Sequence, residues 1–444
     1  MDVQNRDMQN KHFPVVVVGG GQAGLSVSYC LKQKDIEHIV FEKNAIAHSW
    51  ATKRWDSFCL VTPNWQCTLP GYPYAGDDPH GFMPRDEIVE YVRSYADAFD
   101  PPIKEGVAVE KISKGDFNFE IETSVGCYSA EQVVVAIGGY HQPKVPRMAE
   151  RLPDDVVQLH SSTYKTPDDL PAGAVLVVGT GQSGCQISED LHLAGRQVHL
   201  CVGGAPRSPR EYRGKDVVDW LDQLGYYDMP VDEHPQKEAV RHKTNHYVTG
   251  RGGGREIDLR QFAIEGMQLY GRLNRIERIS KDASNASVDT RLVFNDDLKE
   301  NLDHADDVAE SIKGTIDKYI QKEQIEAPTE SRYQPVWQPQ DIPESIGLES
   351  ANINTAIWAT GYHTDFSWIE VPAFDGKGYP THRRGVTSEE GLYFLGLPWL
   401  YTWGSGRFSG VARDAAYLAD HIALKQKPQS YTFIPFVNEV AIGS

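Results

Sequence analysis

A short β-branched run followed at once by G-x-G-x-x-G and then by helical periodicity constrains this chain more than any other feature, and it occurs twice. The first copy is VVVVGGGQAG, Val15–Gly24; the second is VLVVGTGQSG, Val175–Gly184. Such valine runs favour a buried parallel strand. After the first copy Ala23, Val27, Cys30 and Leu31 share one helical face, and after the second Ile187, Leu191 and Ala194 do. Each glycine has its own physical task. The first (Gly19, Gly179) permits the tight turn from strand to helix. The second (Gly21, Gly181) lets the backbone come close to a pyrophosphate, and the third (Gly24, Gly184) lets helix pack on strand. The helix N-terminus, with Gln22 and Ala23 in one copy and Gln182 and Ser183 in the other, turns free N–H groups and a positive dipole end toward the phosphates. Two copies in full context predict an α/β chain that binds two dinucleotides.

At 444 residues the chain has room for two or three domains. Its net charge of −18 would repel nucleic acid or an anionic membrane, so neither is an expected partner. No apolar run is long enough to span a bilayer, and the opening MDVQNRDMQNKHF is polar, which reads as a disordered tail over 1–12. The six cysteines form no C-x-x-C and no zinc spacing, which suits a reducing cytoplasm and leaves no adjacent dithiol. His234, His242 and His246 lack a compact metal spacing, so no metal site is expected.

In the first unit the second strand, HIVFEK, places Glu42 eighteen residues beyond Gly24, where a carboxylate accepts hydrogen bonds from a ribose 2′-hydroxyl. The chain then becomes aromatic and irregular, and Trp50, Trp55, Trp65, Tyr72 and Tyr74 wall a cofactor or substrate pocket or pack a loop-rich subdomain. Residues 82–99 read as an amphipathic helix with Ile88, Tyr91, Val92 and Tyr95 inward, followed by a small antiparallel sheet and a core strand ending at Gly138-Gly139. In the second unit no carboxylate stands where Glu42 stood. Arg207 and Arg210 follow instead, a pattern that accepts a 2′-phosphate and favours NADPH over NADH. The stretch 230–255 reads as mobile loop, about 295–326 as one or two inserted amphipathic helices that are structural or contact another subunit, and 327–343 as a connector back to the first domain. AIWATGY, Ala356–Tyr362, reads as a strand returning to the first domain, and a glycine-bearing loop and helix follow within 391–422.

In this order GGGQAG, RWDSFCLVTPNW with LPGYP, VAIGGYHQPKVP, the H-x-x-x-Y of HSSTY, GTGQSG and ATGY resemble the class B flavin monooxygenases: flavin-containing, Baeyer–Villiger and YUCCA-type enzymes. The chain looks most similar to a bacterial subgroup of flavin-dependent oxidoreductases often encoded near a nitrilase. The resemblance implies two Rossmann-like domains, one for FAD and one for NADPH, the second inserted into the first. The expected division is 13–168 for the first part of the FAD domain, 169–350 for the NADPH domain, and 351–437 for the return segment. The expected cofactor-binding set is Gly19, Gly21, Gln22, Ala23, Gly24, Glu42, Lys43, Trp50, Trp55, Thr62, Val109, Ala136, Gly179, Gly181, Gln182, Ser183, Gly184, Arg207, Arg210, Thr360 and Gly361.

The chemistry implied is reduction of FAD by NADPH, addition of O2 at the flavin C4a, and transfer of one oxygen to a small nitrogen- or sulfur-containing molecule, with NADP+ excluding water. Two departures from the family pattern bear on this. Asp154 and Val156 stand where the family has Phe and Gly, and Val61 stands where many members have an Asn before Thr-Pro. Asn64 is the candidate in its place. Alternatives are an NADPH-linked flavin dehydrogenase or oxidase without oxygen transfer, and a non-catalytic redox partner that docks through the 295–326 insertion. A homodimer is compatible with that insertion.

Overall fold

The computed structural model describes residues 11–280 and 288–426. Strand β1 (Lys11–Val18) begins two residues inside the expected tail; the remainder of that tail lies outside the described residues. Helix α1 (Gln22–Lys32) and strand β2 (His38–Phe41) complete the first βαβ unit, with Val15 in parallel register opposite His38. Helix α2 (Arg85–Phe99) buries Ile88, Tyr91, Val92 and Tyr95, as its periodicity predicts. Strands Val109–Lys114 and Phe119–Thr123 then run antiparallel into β3 (Gly126–Val135), which lies parallel to β1. Every valine of Val15–Val18 is buried because β1 is covered on both faces. Val15 and Val17 pack toward the helices, Val16 and Val18 toward the antiparallel layer.

The second sheet is wholly parallel. In spatial order it runs β4 (Val157–His160), then Ile353–Trp358, then β5 (Ala174–Val178), β6 (Val198–Cys201) and β7 (Gln268–Tyr270). Helix α3 (Gln182–Leu193) follows β5, and α4 (Leu298–Lys322) is the insertion, one continuous helix. Strand β8 (Ile353–Trp358) fills the place between β4 and β5. Strand β9 (Leu392–Phe394) then returns to the first sheet beside β3, and α5 (Val411–Gln426) packs on α1.

Three expectations are corrected here. Strands β4 and β8, both assigned to the FAD half, belong to the second sheet, so the crossings fall after β3 and after β8. The connector 327–343 leads to Ser345–Gly347 and then β8 rather than to the first half. Ala194 is exposed and lies off the buried face of α3, which Ile187 and Leu191 do occupy. The two crossings meet: Gln142–Pro143 pairs antiparallel with Tyr362–His363, a short ribbon joining the halves.

Candidate dinucleotide cradles and the cleft between them

The two glycine turns have nearly the same geometry. Gly19 has φ +105° and Gly179 φ +104°, a left-handed region that glycine reaches without strain. A Cβ on Gly19 would stand 2.8 Å from the carbonyl oxygen of Ala136, and one on Gly179 2.8 Å from that of Ala359. The third glycines are tighter still. A Cβ on Gly24 would fall 1.8 Å from the Gly19 oxygen, and one on Gly184 1.9 Å from the Gly179 oxygen. The middle glycines face open space, with nothing within 4 Å of a Cβ on Gly21 and only Thr244 Cγ2, at 3.7 Å, near one on Gly181. Open backbone at a helix N-terminus, cradled by two obligatory glycines, fits a pyrophosphate at both positions.

Around the first cradle the Glu42 carboxylate accepts from the N–H of Gly20 at 2.6 Å and of Asn44 at 2.9 Å, and stays partly exposed at the strand end. Lys43 is exposed beside it. Trp50 donates through Nε1 to Gln22 Oε1 at 3.2 Å and stacks on Phe408 at 5.6 Å, so it stands over the start of α1. Trp55 is buried in the core of the second half, edge-on to Phe58, and is therefore a packing residue there. Ala136 closes the first turn as described. Val109 opens its strand two residues beyond Val107, whose N–H bonds the Glu42 carbonyl. Thr62 is half-buried, next to Val61, whose carbonyl accepts from Arg210 at 2.8 Å.

At the second cradle the Gln182 side chain donates to the Val248 carbonyl and Ser183 is half-buried at the start of α3. Thr360 and Gly361 follow β8, so they close this cradle rather than the flavin-side one, and Thr360 bonds the Lys144 carbonyl. The two arginines expected to read a 2′-phosphate are consumed within the fold. Arg207, 2% exposed, pairs with Asp306 at 2.9 Å and Glu256 at 3.3 Å and lies under the Tyr333 ring. Arg210, 3% exposed, pairs with Asp216 at 2.9 Å and caps the Thr249 carbonyl at 3.3 Å. Their carboxylate partners leave neither guanidinium for a nucleotide. Asn64 is likewise committed: its amide nitrogen donates to the Asp78 carbonyl at 2.9 Å and its oxygen accepts from Met83 N–H at 2.8 Å. This buried amide ties the 78–83 turn to the aromatic loop, a structural use in place of the oxygen-stabilising one expected.

Sequence reasoning passed over the clasp that aligns the halves. Asp190 on α3 accepts from Ser57 (2.6 Å), Tyr164 (2.7 Å) and Arg251 (2.6 Å), while the neighbouring Glu189 pairs with Arg255 at 2.7 Å. Burial pushes the Glu189 carboxyl up, against the pull of Arg255. The R-G-G-G-R loop is thereby tied down at both arginines, not free as its composition suggests. The adjacent Glu-Asp pair between Ile187 and Leu191, on the apolar face of the helix, was the available signal. His160 and Tyr164 of H-x-x-x-Y are positioning residues of the same kind: His160 Nε2 bonds the Gly361 carbonyl at 3.0 Å and Tyr164 bonds Asp190. All six cysteines are free. Among the described residues no cluster of His, Cys, Asp or Glu could hold a metal ion, and no helix is long and apolar enough to cross a membrane.

Known proteins agree with this architecture. Residues 16–264 match a family model described as pyridine nucleotide-disulphide oxidoreductase. An uncharacterized CzcO-like oxidoreductase of Geobacillus kaustophilus is 35% identical over 411 residues, covering 92% of this chain and 97% of that protein. The indole-3-pyruvate monooxygenase YUCCA6 of Arabidopsis thaliana is 34% identical over 210 residues, 45% of this chain and 50% of its own length. Among solved structures, a flavin-containing monooxygenase from Stenotrophomonas maltophilia superposes with a TM-score of 0.62 at 17% identity, covering 94% of this chain and 99% of that one. At that identity the likeness shows the fold.

Proposed function

We propose that this chain, which belongs to the pyridine nucleotide-disulphide oxidoreductase family, is an FAD- and NADPH-dependent monooxygenase that passes one oxygen atom of O2 to a small nitrogen- or sulfur-containing molecule. That it is a flavin-dependent oxidoreductase follows from the family. The further reading is supported by one observation above the others: two dinucleotide cradles of matching geometry are joined by a short ribbon, and no cysteine pair stands between them to relay electrons.

Open backbone at Gly21 and the partly exposed Glu42 carboxylate fit FAD at the first cradle; Gly181 and the α3 N-terminus fit a nicotinamide dinucleotide at the second. When bound, such a pair supplies hydride transfer and one- or two-electron chemistry with oxygen. The chain's own residues orient and enclose. Trp50 and Phe408 wall the first cradle, and the Asp190 clasp holds the aromatic loop against the second half. NADPH as reductant rests on the resemblance, since Arg207 and Arg210 face carboxylates instead.

The test is rapid mixing of the NADPH-reduced holoenzyme with oxygen, followed by absorbance. Reoxidation in two phases, the second lengthened by NADP+, supports oxygen transfer. A single-phase return with stoichiometric hydrogen peroxide refutes it and leaves the oxidase.

A further inference from the structure

Two buried polar atoms, Tyr379 Oη and His382 Nε2, are shut off from solvent, and among the described residues neither has a hydrogen-bond partner. Their rings lie 6.4 Å apart, and neither residue belongs to a dinucleotide cradle. Both stand in the return segment of the first half, where His382–Arg383 pairs with Val386–Thr387 in a hairpin beside β9. The second half supplies the facing wall as the turn Lys237–His242. His242 sets its ring edge-on to Tyr379 at 5.0 Å. Its neighbour Arg241 donates from Nε to the Trp399 carbonyl at 3.1 Å. Leu400 follows, and its side chain would stand 3.4 Å from a Cβ on Gly385, the residue whose N–H bonds His382 Nδ1. Contacts across both halves thus bring Arg241, Tyr379 and His382 together.

All three side chains have hydrogens to give. Because His382 Nδ1 accepts from Gly385, at 3.3 Å, the proton of the neutral ring sits on Nε2, which makes that atom a donor. Burial, with Arg241 close by, pushes this imidazole pKa down to about 3, so the ring is neutral. The Arg241 side chain is 6% exposed; its Nε and Nη1 are committed to Trp399 and to Glu238, the latter at 3.0 Å, which leaves Nη2. Tyr379 Oη can donate or accept. The neighbouring carboxylates face elsewhere. Glu238 is on the exposed side of Arg241, and Asp375 accepts from the N–H groups of Lys377 and Tyr379 in its own turn, both at 2.9 Å.

Buried donors need an acceptor. A bridging water would accept from two of these groups but would bring two hydrogens of its own, and of the three side chains only the tyrosine oxygen can take one. A small anion accepts from every side and donates nothing, and enclosure between packed rings and Leu400 suits a monatomic ion. We propose that Arg241, Tyr379 and His382 form a site for one small monovalent anion of the halide class, which bridges the two halves. The site goes beyond the oxygenase reading and does not depend on it.

The experiment is thermal unfolding of the FAD-loaded enzyme across a sodium chloride series, with sodium gluconate holding ionic strength constant. It is paired with diffraction at the bromine absorption edge from crystals grown in sodium bromide. The melting temperature should rise by about 1–4 °C and level off, and an anomalous peak should lie between Tyr379 Oη and His382 Nε2. Tyr379→Phe keeps the ring against His242 and removes one donor, and Arg241→Gln removes the charge. Each should lose most of the chloride increment with FAD content unchanged, and Tyr379→Phe carries the test if Arg241→Gln fails to fold. No rise, or a rise equal in Tyr379→Phe, overturns the proposal; an equal rise is general screening of a chain with net charge −18. Density at that position without anomalous signal, an ordered water only, overturns it as well.

Discussion

Gly21 and Gly24 lie three residues apart in one turn, and the structure predicts opposite consequences for the same added methyl group. In Gly24→Ala the new Cβ meets the Gly19 carbonyl oxygen at 1.8 Å. Backbone on both sides must part by roughly 1.2 Å even to reach a barely tolerable contact, and overpacking of that kind costs about 1–3 kcal/mol. In Gly21→Ala nothing lies within 4 Å, and the φ of −80° suits any residue, so the unloaded protein should change by less than about 0.5 kcal/mol. The methyl group instead occupies the space a pyrophosphate needs. Each N–H bond to the phosphate that is lost weakens FAD by about 10- to 100-fold. The assay is paired: thermal unfolding of the FAD-free protein, and FAD titration at a fixed protein concentration. Gly24→Ala should unfold several degrees earlier; Gly21→Ala should unfold with the wild type yet take up FAD poorly. A Gly21→Ala protein with undiminished FAD affinity would refute the cradle as the cofactor's contact, and an unshifted Gly24→Ala protein would refute the close helix–strand approach.

Arg207→Ala should destabilise the protein by about 3 kcal/mol, because Glu256 and Asp306 lose a buried partner, and should leave the NADPH-to-NADH ratio of kcat/KM within about twofold. A selective loss of NADPH would refute the assignment of this arginine to the fold. His199, buried against Tyr270, has its pKa pushed down by burial to about 4. The unfolded chain therefore takes up this proton first, so the stability this group lends is complete above about pH 6.5 and is lost as pH falls from there toward 4, by on the order of 3 kcal/mol. Thermal unfolding followed from pH 7 to 4 should show a shallower decline in His199→Leu than in the wild type, and parallel curves would refute it.

What could be read from the chain alone was what is local. Each cradle is legible within ten residues, because strand, turn and helix N-terminus are consecutive and the third glycine answers to the first, five positions before it. The amphipathic α2 was legible for the same reason. What escaped reading depends on partners far along the chain. Arg207 has the right residue type after the right strand, but Glu256 and Asp306, which claim it, arrive 49 and 99 positions later. Strands β4 and β8 look like any short core strand, and their place in the second sheet is decided by parallel pairing across nearly 200 residues. Asn64 was chosen for its nearness to Val61, yet its amide is spent on Asp78 and Met83.

The symmetry of the two halves also explains how they are joined. In each, the strand that closes the turn is followed at once by an alanine whose carbonyl meets the first glycine, and a glycine and a tyrosine follow within four residues: Gly139 and Tyr140 after Ala136, Gly361 and Tyr362 after Ala359. These exits lead into the ribbon, with the two tyrosine rings 5.4 Å apart. The closing strand of each cradle is therefore also its tether to the other. The second half also holds the aromatic loop of the first through Ser57 on Asp190, the Val61 carbonyl on Arg210, Trp65 on Asp219, and Lys165 on the Arg54 carbonyl and the Asp56 N–H. None of these contacts lies within one half, so rotating one half against the other must move the wall of the first cradle. Arg207 and Arg260, bound to the acids of α4, brace the second half in that setting.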